Sequence, residues 1–202
     1  TTGDVRIEFY AAIKTAEPFL PAGTVIAREQ TYVHTFYKKE ATAQQPATSK
    51  EEGNLVAFSG PDFKATFDKQ SGLLTSYLYK KHEYILNGQG PRPFFWRAPT
   101  DNDQFVRKEW EQAGYNEPAI KVYACNAKEE DGVVVIDCKL SLAAVYRRPF
   151  LHLDCRFTVD AEGKVRAEIN GKRDMERPFL PRFGLRMFLP KSFDTAEYYG
   201  YG

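Results

Sequence analysis

The sequence contains 202 residues, enough for one domain or one and a half with a core of ordinary size. Its 28 basic and 27 acidic residues leave a formal net charge of +1, so charge gives no reason to expect nucleic acid or an anionic membrane as a partner. Hydrophobic residues make up 43% of the chain, and no apolar run approaches the ~20 residues of a membrane helix, so we expect an ordinary soluble globular protein.

Two strands are predicted at the start of the chain. Val5, Ile7 and Phe9 alternate with polar residues, and after a turn-rich break the apolar pattern resumes over residues 24–36. Because two strands do not form an independent domain, we interpret residues 1–40 as the last strands of a β-sandwich. Residues 41–53 have no aliphatic side chain larger than alanine and are predicted to be a linker.

Residues 54–202 predict a second domain built almost entirely from strands. A hairpin is expected from residues 63–67 and 73–79, with its turn at 68–72, and further strands follow the Asp131-Gly132 turn and at 151–159 and 165–169. The one plausible helix covers residues 107–113 and is closed by Gly114. Short strands separated by turn signals favour a large antiparallel β-sandwich, an all-β fold.

The three cysteines, Cys125, Cys138 and Cys155, have no CxxC spacing, and their odd number argues against a complete disulfide framework. Each lies in an apolar or alternating stretch, so we interpret them as buried free thiols. The three histidines are widely separated from one another in the sequence, which argues against a zinc site. They are His34, His82 and His152.

Residues 94–103, FFWRAPTDND, supply the candidate site residues Arg97, Asp101, Asn102 and Asp103. An EF-hand calcium loop beginning at Asp101 fails because its fifth and sixth positions would be apolar. Two acids so close in sequence are also seldom the carboxylate pair of a glycoside hydrolase. The residue chemistry favours a loop in which Asp101 and Asn102 bond nearby backbone amides and Arg97 pairs with a carboxylate. The alternative is a polar loop that faces a ligand.

Together with Pro93, this stretch resembles the RP-x-FWRAPTDND signature of large multidomain, retaining bacterial β-galactosidases, glycoside hydrolase family 2. Three further stretches resemble the same family in order and spacing, and residues 1–36 resemble the closing strands of its immunoglobulin-like domain. The three stretches are FDKQSGLL at 67–74, WEQAG at 110–114, and LPRFGLR at 180–186 with FLP at 188–190 and EYYGYG at 197–202.

The resemblance implies an antiparallel supersandwich of the galactose mutarotase-like kind, over residues 54–202, preceded by the end of an immunoglobulin-like sandwich. The catalytic glutamates of such enzymes lie in a (β/α)8 barrel that is absent from this sequence, so no catalytic residue and no metal ligand is carried over. The Mg and Na ions expected of the parent enzyme would be bound in that barrel. The implied partners are the barrel, a galactoside such as lactose, and other subunits of a homo-oligomer, in the cytoplasm or the periplasm.

One departure concerns the loop after Asp103, because only residues 104–109 separate it from Trp110, whereas family members carry a mobile loop there. We therefore expect no lid role, and we assign Arg97, Asp101, Asn102 and Asp103 a structural role beside the sugar site. The chain itself is expected to be inactive, and open strand edges are expected to favour self-association. Two other functions stay open: a free-standing carbohydrate-binding module, and a mutarotase-like epimerase that would need a histidine beside a carboxylate in a cleft.

Overall fold

A computed structural model describes residues 3–36 and 47–197, which belong to two compact units, Thr1–Thr42 and Ala43–Gly202. In the first unit, β1 (Gly3–Ala12) pairs antiparallel with β2 (Val25–Phe36), and both predicted strands are confirmed. The apolar residues of this hairpin are about half exposed, as Val5 at 41% and Phe9 at 55% illustrate.

In the second unit, one sheet contains five antiparallel strands in the order β3-β4-β5-β6-β7. The predicted hairpin around residues 68–72 is confirmed as β5 and β6, because Asp68 accepts backbone N–H bonds from Gln70 and Ser71 and Gly72 adopts a positive φ of 70°. The strands are β3 (Thr48–Glu52), β4 (Leu55–Ser59), β5 (Phe63–Asp68), β6 (Leu73–Tyr79) and β7 (His82–Glu83).

A short 3-10 helix (Leu86–Gly88) leads to β8 (Arg92–Phe94), which pairs with the distant strand β13 (Gly184–Arg186) in a small separate sheet. A second 3-10 helix (Asp101–Asp103) and then α1 (Arg107–Ala113) follow β8. The predicted helix is confirmed, and Gly114 ends it with a left-handed φ of 78°.

The four remaining strands form a second large sheet in the order β12-β11-β10-β9. Asp131 and Gly132 have φ values of 50° and 81°, as the tight turn that joins β9 and β10 requires, and this confirms the predicted hairpin. The strands are β9 (Pro118–Glu130), β10 (Val133–Ala144), β11 (Leu151–Val159) and β12 (Val165–Arg173).

The two large sheets share one hydrophobic core, to which β4, β5, β10 and β11 contribute alternate residues. Phe67 of the five-stranded sheet and Phe157 of the four-stranded sheet meet with ring centroids 5.3 Å apart, and Val56 and Ile136 are fully buried. The prediction of an all-β, antiparallel sandwich is therefore confirmed. No helix among the described residues is both long and apolar enough to cross a membrane.

The predicted linker at residues 41–53 is corrected in part. Residues 41–46 lie outside the described residues, but Thr48–Glu52 form β3 and pair with β4 along their whole length. An edge strand with exposed side chains needs few apolar residues, because backbone pairing holds it in place. Ser49 reinforces it by donating its backbone N–H to Glu129 of β9 at 2.6 Å.

The prediction of three free thiols is wrong for two of them, because Cys125 and Cys138 form a disulfide between β9 and β10. The two residues lie directly opposite each other in the sheet, and their Cα atoms are 4.1 Å apart. This pairing depends on strand register, which residue spacing does not reveal. Cys155 is a buried free thiol as predicted, and burial raises its pKa to about 11.

We expect the disulfide to stabilise the second unit by up to about 3 kcal/mol, because it closes a short loop in the unfolded chain. Excess dithiothreitol should lower the melting temperature of the wild-type chain and leave that of Cys125→Ser unchanged. Thiol titration of the unreduced, denatured wild type should find one free thiol. A result of three thiols, or a melting temperature that ignores the reductant, would contradict the disulfide.

Candidate functional site

The candidate loop begins where β8 ends, and buried aromatic rings fix its first residues. Phe95 is 1% exposed, and its ring meets those of Phe150 and Tyr115 at centroid distances of 5.1 and 6.1 Å. Trp96 packs edge-to-face on Trp110 of α1 at 6.3 Å. The polar residues that follow therefore extend from a rigid apolar base.

The central polar contact is a bidentate ion pair between Arg97 and Asp103. Both guanidinium Nη groups donate to the carboxylate, and the bond from Arg97 Nη2 to Asp103 Oδ1 is 2.7 Å long. The backbone N–H and the hydroxyl of Thr100 also donate to Asp103 Oδ2, at 2.8 and 3.0 Å. Asp103 is 7% exposed, so this carboxylate is buried and fully hydrogen-bonded.

These contacts hold the pKa of Asp103 well below the ordinary range of an aspartate. The hydrogen bonds from Arg97 are the largest cause, followed by the bond from the Thr100 backbone, and together they outweigh the opposing effect of desolvation. The same pair raises the pKa of Arg97. A carboxylate held this firmly in its ionised form is suited to a structural role and unsuited to donating a proton to a substrate.

Arg97 also joins the loop to two distant parts of the second unit. Its Nε donates to the carbonyl of Pro181 at 3.3 Å, and its guanidinium lies 5.2 Å from the ring centroid of Trp110. Trp110 is fully buried, and its indole N–H donates to the carbonyl of Phe179 at 2.9 Å. Residues 97–103, α1 and residues 179–181 are therefore held together by one connected set of contacts.

Asp101 and Asn102 behave differently from Asp103, although the three are consecutive. Both are exposed, and no side-chain hydrogen bond joins either of them to another residue that the structure describes. The prediction that these two side chains bond the nearby backbone is wrong, because Asp103 performs that role. The prediction that Arg97 pairs with a carboxylate is correct. The loop thus has a rigid base and two outward polar groups.

Several residues that build this site were not predicted to belong to it. Trp110 supports Arg97, Tyr115 donates its hydroxyl to the carbonyl of Pro178 at 2.7 Å, and Arg182 donates its Nε to the carbonyl of Trp96 at 2.9 Å. All lie in or beside the WEQAG and LPRFGLR stretches that the sequence had already singled out. A buried indole N–H or phenol O–H seldom stays without a hydrogen-bond partner. The tryptophan and the tyrosine near these stretches could therefore have been predicted to bond a nearby backbone carbonyl.

The three histidines lie on three different strands, and each is exposed. His34 belongs to the hairpin of the first unit, His82 lies on β7, and His152 faces solvent from β11. No described group of three or more His, Cys, Asp or Glu residues is arranged to hold a metal ion. The exposed aromatic residues are spread over several elements, among them Tyr123 on β9 and Phe105 beside α1.

Comparison with known proteins agrees with the motifs that form this site. Residues 59–202 match the family described as Beta galactosidase small chain, and this range includes the whole of the candidate loop. The chain therefore belongs to the β-galactosidase small chain family.

Three similar proteins are each named Beta-galactosidase. The protein of Actinobacillus pleuropneumoniae is 38% identical over 141 residues, which are 69% of this chain and 14% of that protein. The protein of Staphylococcus xylosus is 33% identical over 82% of this chain and 17% of its own length. That of Lactobacillus delbrueckii subsp. bulgaricus is 28% identical over 99% of this chain and 19% of its own length. The chain thus spans less than a fifth of each of these three relatives.

The Arg97–Asp103 pair predicts an asymmetric response to two conservative substitutions. Asp103→Asn should lower the melting temperature by several degrees, because it leaves Arg97 without its anion and weakens the bonds from Thr100. Asp101→Asn removes an exposed charge without described partners and should leave the melting temperature within about a degree of the wild-type value. Equal effects of the two substitutions would contradict the contacts described for Asp103.

The Arg97–Asp103 pair should also make the stability of the chain depend on pH. The pKa of Asp103 is lower in the folded chain than in the unfolded chain, so its contribution is complete above about pH 5 and falls as the pH drops further. Urea unfolding between about pH 5 and pH 2.5 should therefore show a shallower loss of stability in Asp103→Asn than in the wild type. Parallel pH profiles for the two proteins would contradict the lowered pKa of Asp103 in the folded chain.

Proposed function

We propose that the chain is the accessory part of a β-galactosidase that hydrolyses terminal β-D-galactosides such as lactose with retention of configuration. The observation that carries this proposal is the exposed pair of polar side chains, Asp101 and Asn102, on a base fixed by the Arg97–Asp103 ion pair. Family membership and the names of the similar proteins support the reaction class. Each similar protein is several times longer than this chain, which leaves room for a separate catalytic domain.

In this proposal the chain shapes the rim of the galactoside site and takes no covalent part in the reaction. A retaining glycosidase needs two carboxyl groups ~5–5.5 Å apart, one acting as acid and base and one as nucleophile. Asp103 does not suit the acid role, because its low pKa and its four hydrogen bonds keep it ionised. Both catalytic carboxylates would therefore come from the (β/α)8 barrel, together with the Mg and Na ions.

Asp101 and Asn102 are suited to bind sugar hydroxyl groups. A carboxylate accepts hydrogen bonds from hydroxyls, and an amide both donates and accepts them. Because the loop is rigid, these groups would lose little conformational freedom when a galactoside binds. The connection after Asp103 turns at once into α1, so residues 104–106 leave little chain to form a lid. The rim in this proposal is therefore a fixed wall, and its further contacts would be with the barrel and with other subunits.

The test compares the 202-residue chain with the longer polypeptide that is proposed to contain it. The chain alone should not hydrolyse o-nitrophenyl β-D-galactoside, while the longer protein should. In the longer protein, Asp101→Asn and Asn102→Ala should raise KM for lactose several-fold with a smaller effect on kcat, as expected of groups that bind substrate without reacting. Lys191→Ala, at an exposed position far along the chain, is the matched control and should leave KM unchanged.

Hydrolysis by the 202-residue chain would overturn the proposed division of labour. Saturable lactose binding by that chain in calorimetry would instead favour a free-standing carbohydrate-binding module. An unchanged KM in both Asp101→Asn and Asn102→Ala would remove the rim role and leave the family assignment intact.

A further inference from the structure

Phe105 is a large apolar side chain that the fold leaves in solvent. It lies in the connection between the second 3-10 helix and α1, and 83% of its surface is exposed. Single exposed apolar residues are common on protein surfaces, so exposure alone assigns no role to this ring. Its role follows from the side chains that share its face.

The backbone around Phe105 is helical, and this decides which side chains lie beside the ring. The 3-10 helix (Asp101–Asp103) leads into a turn at residues 104–106, and α1 begins at the next residue. Gln104 and Val106, on either side of the phenylalanine, both have right-handed helical φ and ψ values. Residues three or four positions apart therefore lie on the same side of this segment.

The segment has an inward side and an outward side. Residues at spacings of three and four face inward, where they are buried or packed against the hydrophobic core. They are Asp103, Val106 and Trp110. Phe105 lies on the outward side with Asp101, four positions earlier, and Asn102, three positions earlier, and all three are exposed. An aromatic ring, a carboxylate and an amide therefore share one exposed face.

The backbone on both sides of Phe105 is fixed before any ligand binds. On one side, Trp110 donates its backbone N–H to the carbonyl of Val106 at 3.1 Å. On the other side, Asp103 is held by its bidentate pair with Arg97. A ligand that packs on Phe105 would therefore order only a single short side chain, which costs little conformational entropy.

These three groups match the chemistry of a galactopyranose ring. A carboxylate accepts hydrogen bonds from sugar hydroxyls, and an amide both donates and accepts them. The axial hydroxyl of galactose lies on one face of its ring, so the opposite face carries mainly C–H groups and is apolar. Packing that face on a flat phenyl ring removes apolar surface from water on both partners. An aromatic ring beside hydroxyl-binding groups therefore suits a sugar better than a purely apolar ligand.

We propose that Phe105 is a substrate-binding residue that stacks on the apolar face of the galactosyl ring whose hydroxyls bond Asp101 and Asn102. The shared exposed face of the three side chains carries the proposal. The inference rests on the proposed function and adds a residue that recognises the galactosyl ring itself. Phe105 takes no part in breaking the glycosidic bond.

The test uses the longer polypeptide that is proposed to contain the chain. Galactose serves as a competitive inhibitor, because it contains the galactosyl ring without a leaving group. Phe105→Ala should raise Ki for galactose about fivefold, and KM for lactose and for o-nitrophenyl β-D-galactoside by a similar factor, with a smaller effect on kcat. Phe105→Tyr keeps the flat ring, so its Ki should stay within about twofold of the wild-type value.

Tyr146→Ala is the matched control, because it removes a wholly exposed aromatic ring from the turn between β10 and β11. Its Ki for galactose should equal that of the wild type. Phe105→Ala should keep the wild-type melting temperature, since an exposed side chain contributes little to stability. A change in Ki then reports a lost contact with the sugar. If Phe105→Ala does not fold, Phe105→Leu keeps an apolar side chain without a flat ring and carries the same expectation.

Four results would overturn the proposal. An unchanged Ki in Phe105→Ala, with a raised KM in Asp101→Asn, would remove Phe105 from the site and leave the proposed function intact. Unchanged values in Phe105→Ala, Asp101→Asn and Asn102→Ala would count against the rim role as well. A raised KM for lactose with an unchanged Ki for galactose would place the ring against the leaving group. Equal changes in Phe105→Ala and Tyr146→Ala would indicate a general loss of surface aromatics.

Discussion

The bidentate ion pair between Arg97 and Asp103 connects parts of the second unit that are far apart in sequence. The carboxylate holds the 3-10 turn through Thr100, and the guanidinium reaches both the carbonyl of Pro181 and the face of Trp110. Each donor and acceptor in this set has a partner within the protein, which is what makes a largely buried charge tolerable. The positions of the exposed loop residues, of α1 and of the segment that leads to β13 all follow from this pair.

The same arrangement separates two tasks that a short polar motif could have combined. The buried side chain of Asp103 stabilises the fold, whereas the side chains of Asp101 and Asn102 are exposed. On the far side of the Pro181 contact, β13 brings Arg186 opposite Arg92 and creates a concentration of positive charge. One structural base thus supports two chemically distinct surfaces, one with an exposed carboxylate and amide and one with guanidinium groups. The family match includes both surfaces, because it covers residues 59–202.

Local patterns in the sequence predicted most of the fold, and long-range contacts account for what they missed. The Asp131-Gly132 turn and the helix closed by Gly114 are encoded by adjacent residues, so both were predicted correctly. The Cys125–Cys138 disulfide depends on which residues of two strands face each other, and spacing alone does not determine this. Likewise, the sequence offers Asp101 and Asp103 as two aspartates of the same loop and does not show which one is buried. Only the 3-10 turn, which directs one carboxylate inward, distinguishes them.

The packing of Trp96 against Trp110 has an optical consequence. These are the two tryptophans of the chain, and they lie 6.3 Å apart beside Arg97. Trp110 is enclosed within the protein and keeps its indole N–H bonded to Phe179. At the red edge of the protein absorption spectrum only tryptophan absorbs. Both the absorption and the fluorescence of the chain at these wavelengths therefore come from this one place. The natural fluorescence of the chain is in effect a built-in probe of the Arg97–Asp103 junction, and it needs no added label.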